Sequence, residues 1–336
     1  MLVLIAISAE YFLALPSAPY PMPQIDRFTS VFPVDPTEPL PPLAGSTARH
    51  EPRPTAMRIG GVPEHVSLPW YVAVEEQRID ATWLDQPGGT GAMTAAMADG
   101  TLDVIVALTE GVVQAITGGL DARIVQTAIP TALQWGVHVA AAAELTRETD
   151  LVGTRAAISR RGSGSHLMAY VLAERLGWVP DDAQHFVEVG TLDGARRALG
   201  AGEADYLLWD RFMTQPVVDR GELRRVGVQP TPWPAFVTVA RTDVIDERGD
   251  DLSAIIAAVA ATAAGLTRSD DLIDRLVDRF ELAREVAADW WAVTRWGRAD
   301  DQLTPEQLGE VQRTLLRLGR IDEILPAEQI LAAPVA

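Results

Sequence analysis

Residues 57–117 read MRIGGVPEHVSLPWYVAVEEQRIDATWLDQPGGTGAMTAAMADGTLDVIVALTEGVVQAIT, and this segment announces the architecture of the chain. Three short apolar runs, at 57–61, 81–84 and 104–108, each give way to Gly, Pro, Ser or Thr and then to a helical pattern. Apolar runs this short, bounded by such punctuation, read as buried strands. The stretches 68–76, 90–98 and 111–117 read as helices, the last two opening after Thr or Gly caps. Strand–helix alternation implies βαβ units, and hence an α/β fold with a mostly parallel sheet covered by helices on both faces.

Downstream the alternation continues. Strands are expected at 124–128, 136–141, 156–159, 186–189 and 204–209, and helices at 165–176 and 192–199. Two further strands, 223–226 and 235–240, are expected on either side of a rigid turn carrying Pro230, Pro232 and Pro234. Beyond Thr242 the pattern is helical, at 252–266, 272–280, 284–295 and 305–318. Thr304-Pro305 marks the start of the last of these, with threonine as cap and proline in the first helical position. No heptad, solenoid repeat or transmembrane stretch is legible.

Upstream the composition changes abruptly. Residues 1–56 hold 11 of the 23 prolines and one of the 26 glycines, a density that no helix or central strand tolerates. The apolar opening lacks a positive n-region and carries Glu10, so it is a poor secretion signal, and it is too short to span a bilayer. The expectation is a disordered Pro-rich extension or a mis-assigned start, with Met57 as the true beginning. The protein is then cytoplasmic; a working signal would make it exported.

The whole chain has 336 residues, with Asp+Glu 46 against Lys+Arg 28 and a formal charge of −18. That balance disfavours nucleic acid and anionic membrane as partners. There is no cysteine, so disulfides, thiolate metal sites and Cys nucleophiles are excluded. Every basic residue is arginine, which excludes Schiff-base and phosphate-loop lysines. The five histidines, at 50, 65, 138, 166 and 185, show no metal-ligand spacing, and neither metal nor cofactor is expected.

Two α/β units followed by a helical tail suggest a cleft, with ligands bound where post-strand loops meet helix N-termini. Gly60-Gly61-Val62-Pro63-Glu64-His65-Val66-Ser67 follows the first strand and offers a carboxylate, an imidazole and a hydroxyl. Gly88-Gly89-Thr90-Gly91 opens a helix and suits an anion or carbonyl oxygen, although a simple N-cap explains it equally well. Leu108-Thr109-Glu110-Gly111 places an acid in a first helical turn, where dipole complementarity is the bland account. Ser159-Arg160-Arg161-Gly162-Ser163-Gly164-Ser165-His166 gathers hydroxyls, backbone N–H groups and two cations at a helix start, a fit for an anionic group. Ser165 and His166 are consecutive on a helix and diverge, which argues against a hydrolase pair. Trp209-Asp210-Arg211-Phe212 and Pro232-Trp233-Pro234 could stack a ligand, but core packing is the commoner use of such aromatics. Trp290, Trp291 and Trp296, at helical spacing, read as packing.

Taken in order, Gly61-Val62-Pro63-Glu64-His65, Leu108-Thr109-Glu110-Gly111, Gln134-Trp135-Gly136-Val137-His138, the 158–166 segment and Pro232-Trp233-Pro234 resemble the type 2 periplasmic-binding-protein-like family. The resemblance is nearest to nitrate/sulfonate/taurine and thiamine-pyrimidine binding proteins and covers roughly 57–297. It implies a two-lobed Venus-flytrap fold with a helical C-terminal tail: one lobe from 57–131 plus 236–336, the other from 132–235. The ligand-binding positions it implies are Glu64, His65, Thr90, Thr109, Glu110, Ser163, Gly164, Ser165, His166 and Asp210. The implied function is that of an ABC-transporter-type solute-binding protein for an anionic or polar organic molecule. The implied protein is a monomer, non-catalytic, with an ABC permease as the possible protein partner. The alternative is a lyase-type or other cofactor-pathway enzyme on the same fold, with His65 or Glu110 as acid/base. Pyridoxal phosphate chemistry, used by related pyrimidine-synthesising enzymes, is excluded by the missing lysine.

Overall fold

In the computed structural model, which describes residues 56–333, strand and helix alternate as far as residue 241 and helices follow. Expectations for 1–55 lie outside the described residues. The first part runs β1 (Met57–Gly61), α1 (Leu68–Glu75), β2 (Ala81–Asp85), α2 (Gly89–Ala98), β3 (Val104–Leu108), α3 (Thr109–Thr117) and β4 (Ala122–Ala140). The middle part runs β5 (Ala156–Ile158), α4 (Gly164–Arg175), β6 (Phe186–Glu188), α5 (Leu192–Gly200), β7 (Tyr206–Asp210), α6 (Gln215–Asp219) and β8 (Leu223–Arg241). The tail comprises α7 (Thr242–Thr267), α8 (Leu272–Phe280), α9 (Arg284–Val293), α10 (Pro305–Arg317) and α11 (Ala327–Ile330).

All eight strands form one sheet in the order β2-β1-β3-β8-β4-β7-β5-β6. β1 pairs in parallel with β2 and β3, and β5 in parallel with β6 and β7. The centre is antiparallel, because β8 pairs that way with β3 and β4, and β4 with β7. Val104, Ile105, Val106 and Ala107 of β3 are all buried, as a strand covered on both faces requires.

The strands expected separately at 124–128 and 136–141 are one element, β4, and those at 223–226 and 235–240 are likewise one, β8. Their outer part pairs Ala122–Ile129 with Phe236–Arg241, and their inner part pairs 134–140 with 223–230. Between these parts the register shifts at Ile129/Ala132 and Ala132/Gln134, where Pro130, Pro230, Pro232 and Pro234 lie. A proline lacks the ladder N–H but is accommodated at bulges, so the punctuation bends the strands and does not end them. The same pair of strands therefore serves both halves of the sheet. The α/β, two-lobed architecture is the one expected, but the sheet, expected to be mostly parallel, is antiparallel at its centre, because β4 and β8 run through both halves.

α7 is long and apolar enough to cross a membrane by length and composition alone. Its Leu252, Ile255, Ile256, Val259 and Leu266 are buried in the core.

Candidate functional site

β1, β2 and β3 point their carboxyl ends at loops that precede helices, and β5, β6 and β7 do the same in the other half of the sheet. Between the two sets of loops lies a cleft of about 810 Å³, a size suited to a small organic molecule.

From the first set come Glu64, His65, Gly88, Gly89, Thr90, Gly91 and Glu110. His65 is buried, with its ring edge-on to Trp290 at 4.4 Å between centroids. Burial lowers its pKa to about 4, so the imidazole is neutral at pH 7. Thr90 accepts a hydrogen bond from Leu108 N at 3.2 Å, which ties the start of α2 to the end of β3. Glu110 is buried in the first turn of α3. Its Oε2 accepts from Trp233 Nε1 at 2.9 Å, while Oε1 has no hydrogen-bond partner among the described residues. Burial raises the carboxyl pKa.

The second set supplies 159–165, Gly190, Trp209, Asp210 and Met213, with Trp135 on the inner part of β4. Ser163 caps α4, its Oγ accepting from His166 N at 3.3 Å and lying 3.0 Å from Ser165 Oγ. Ser165 Oγ also accepts from Ser159 N at 3.0 Å, so the turn is held by its own hydroxyls. Gly162 has φ +78°, a conformation that only glycine adopts without strain. A Cβ at Gly164 would lie 3.0 Å from the Trp135 ring and 3.9 Å from Glu110 Oε1. The start of α4 thus lies close to Glu110 of the first set. Asp210, at the end of β7, is buried, and its Oδ1 accepts from Phe212 N at 2.9 Å and Met213 N at 2.8 Å. Burial outweighs those bonds and pushes its pKa up to about 6.

Of the ten expected ligand-binding positions, Glu64, His65, Thr90, Glu110, Ser163, Gly164, Ser165 and Asp210 line this one cleft. Two do not. Thr109 is fully buried and donates to Pro234 O at 2.6 Å, pinning α3 to β8. It precedes Glu110 on a helix, where consecutive side chains diverge by about 100°, so one faces the cleft and the other the sheet. His166 is turned the other way from Ser165. Its Nδ1 accepts from Gly162 N at 3.0 Å and Arg320 Nη2 at 2.9 Å, which leaves the proton on Nε2, 3.0 Å from Asp182 Oδ1.

The aromatic residues divide in the same way. Trp233 is buried and supports Glu110, whereas Trp209 and Trp290, the latter read as packing, both line the cleft. Trp135 Nε1 and Trp209 Nε1 have no hydrogen-bond partner among the described residues. Arg320, in the tail, lines the cleft without any sequence signal that marks it. No group of three or more His, Asp or Glu among the described residues could hold a metal ion.

Residues 135–228 match the family model described as Ca3427-like PBP, a periplasmic binding protein group. No curated protein matches the chain. The Candida albicans CA3427 gene product, described as having the generic periplasmic binding protein fold, is 20% identical with a TM-score of 0.74. The similarity covers 84% of this chain and 97% of that one. The alkanesulfonate-binding protein SsuA of Xanthomonas axonopodis pv. citri, bound to MOPS, is 19% identical with a TM-score of 0.68, covering 83% and 99%. A ligand-binding component of an ABC-type import system from Staphylococcus aureus is 15% identical with a TM-score of 0.65, covering 83% and 96%. The chain is thus type 2 periplasmic-binding-protein-like, in its fold through the described residues and in its family-model match over 135–228.

Proposed function

We propose that the chain is a solute-binding protein that closes on a small anionic or polar organic molecule and works with an ABC-type permease. One observation carries this reading: the N-termini of α2, α3 and α4 converge on a single cleft with the Ser159–Ser163–Ser165 hydroxyls and Arg160. Helix N-termini present unpaired N–H groups and positive potential, which favour a negative group. Glu110 Oε1 and the indole Nε1 groups of Trp135 and Trp209 offer further unsatisfied polar atoms in residues that line the cleft. Buried polar atoms without partners carry a desolvation cost that a ligand can relieve. The likeness to alkanesulfonate-binding and ABC import components supports the solute class, and closure follows if the ligand binds the shut state more tightly.

The test is ligand-induced thermal stabilisation with a panel of C2–C4 alkanesulfonates, alkylphosphonates and carboxylates. At least one compound should raise the melting temperature of the wild type, and Ser163→Ala with Ser165→Ala should abolish that rise. Because Ser163 also caps α4, the quantity compared is the ligand-induced shift and not the melting temperature itself. Undiminished stabilisation in the double variant removes the site. The enzymatic alternative, with His65 or Glu110 as acid/base, requires turnover of a candidate metabolite in mass analysis.

A further inference from the structure

One cation reaches the cleft from outside both sets of strand-end loops. Arg320 lies just beyond α10, after Gly319, whose φ of +60° ends the helix. α10 itself packs on α3 and β8, so this arginine is delivered by the tail. Its Nη2 donates to His166 Nδ1 at 2.9 Å, and Nη1 lies where a Cβ on Gly162 would approach within 3.4 Å. The imidazole is fixed in turn by Asp182 on Nε2 and by the Phe186 ring, edge-on at 4.5 Å.

The electrostatic setting of this arginine differs from that of most arginines in the chain. Acids outnumber bases by 46 to 28, and arginines are paired with carboxylates over most of the surface. Arg161 follows the rule, held by Asp182 and Glu188. Among the described residues neither Arg160 nor Arg320 makes an ion pair, yet both line the cleft beside the N-terminus of α4. Hydrogen bonding to a neutral imidazole orients the Arg320 guanidinium without neutralising it. Its other N–H groups have no protein partner among the described residues and remain available to an anion.

We infer that Arg320 is a ligand-binding residue, the second arm of an anion clamp completed by Arg160 and the α4 turn, and that His166 is the residue that positions it. The inference rests on the solute-binding reading and deepens it, by assigning recognition of the negative group to a side chain from the C-terminal tail. It also gives His166 a role its own position denies it. The imidazole does not touch the cleft, but it aims a group that does.

The test measures affinity for each anionic compound of the panel and for its uncharged amide, in the full chain. Arg320→Ala should weaken binding of the anions at least tenfold and flatten its dependence on salt, while leaving the amides unchanged. Arg320→Lys should restore part of the loss. His166→Gln should weaken the anions several-fold and spare the amides. Arg317→Ala, which removes a 2.9 Å pair with Glu174 outside the cleft, should bind like the wild type. Anion affinity unchanged in Arg320→Ala, or an equal loss for anions and amides, overturns the clamp while the solute-binding reading stands. A wild type that binds no member of the panel overturns both.

Discussion

Asp210 shows how a cleft residue can be recognised by what it costs. Its carboxyl accepts two backbone N–H groups and feels Arg225 and Arg211, yet burial dominates and the pKa rises from 3.8 to about 6. The folded state therefore holds more protons than the unfolded chain between pH 3.8 and 6, and this group's contribution to stability is lost as pH rises through that window. His65 acts in the opposite sense. Its pKa falls from 6.5 to about 4, so the unfolded chain holds more protons and stability is gained as pH rises from 4 to 6.5. Asp210→Asn keeps the acceptor for Phe212 N and Met213 N but removes the titration. The variant should gain on the wild type between pH 4 and pH 7, by up to about 3 kcal/mol at 1.4 kcal/mol per pK unit. Denaturant unfolding at both pH values reads this directly. An identical pH profile for the two proteins would return Asp210 to an ordinary carboxylate.

At the scale of elements, α10 couples a local signal to the site. Thr304 Oγ1 accepts from Gln307 N at 3.2 Å and Gln307 Oε1 accepts from Thr304 N at 2.9 Å, with Pro305 in the first helical position. Both ends of this box satisfy donors that would otherwise face solvent unpaired. Leu308, Val311 and Leu315 then bury one face of the helix. Thr304→Ala should cost about 1 kcal/mol, lowering the denaturant midpoint without changing the slope. β4 and β8 teach the opposite lesson. Prolines at 130, 230, 232 and 234 look like strand ends, yet they sit inside two 19-residue strands, where register shifts absorb the missing donors.

For the molecule as a whole, the tail is part of the fold. Leu331 bridges to Ile124 of β4, and Ala332 N donates to Ile124 O at 2.8 Å. Val311, Leu315 and Ile330 belong to the same buried cluster as β1 and β3. Removing 305–336 withdraws at least four buried aliphatic side chains, each contributing roughly 1.5–3 kcal/mol, against a total stability of about 5–15 kcal/mol for a typical domain. The shortened chain should lose its cooperative melting transition, as calorimetry would show. A sharp transition at the full-length temperature would mean that the tail is an appendage.

The amino-acid order alone determined the alternation of strands and helices. The runs 57–61 and 104–108 are the observed β1 and β3, and 104–108 is unbroken in its apolar character because a strand buried on both faces needs that. The sequence also marked the loops after β1, β3 and β5, and so His65, Glu110 and Ser163, since a parallel arrangement leaves the carboxyl ends of its strands open. Tertiary structure decided which side chain of each loop faces the cleft: Glu110 but not Thr109, Ser165 but not His166. One residue along a helix turns a side chain by about 100°, and only packing fixes the phase. It alone brought Arg320 to His166 across 154 residues of chain, a contact set by the docking of α10 and by no local pattern.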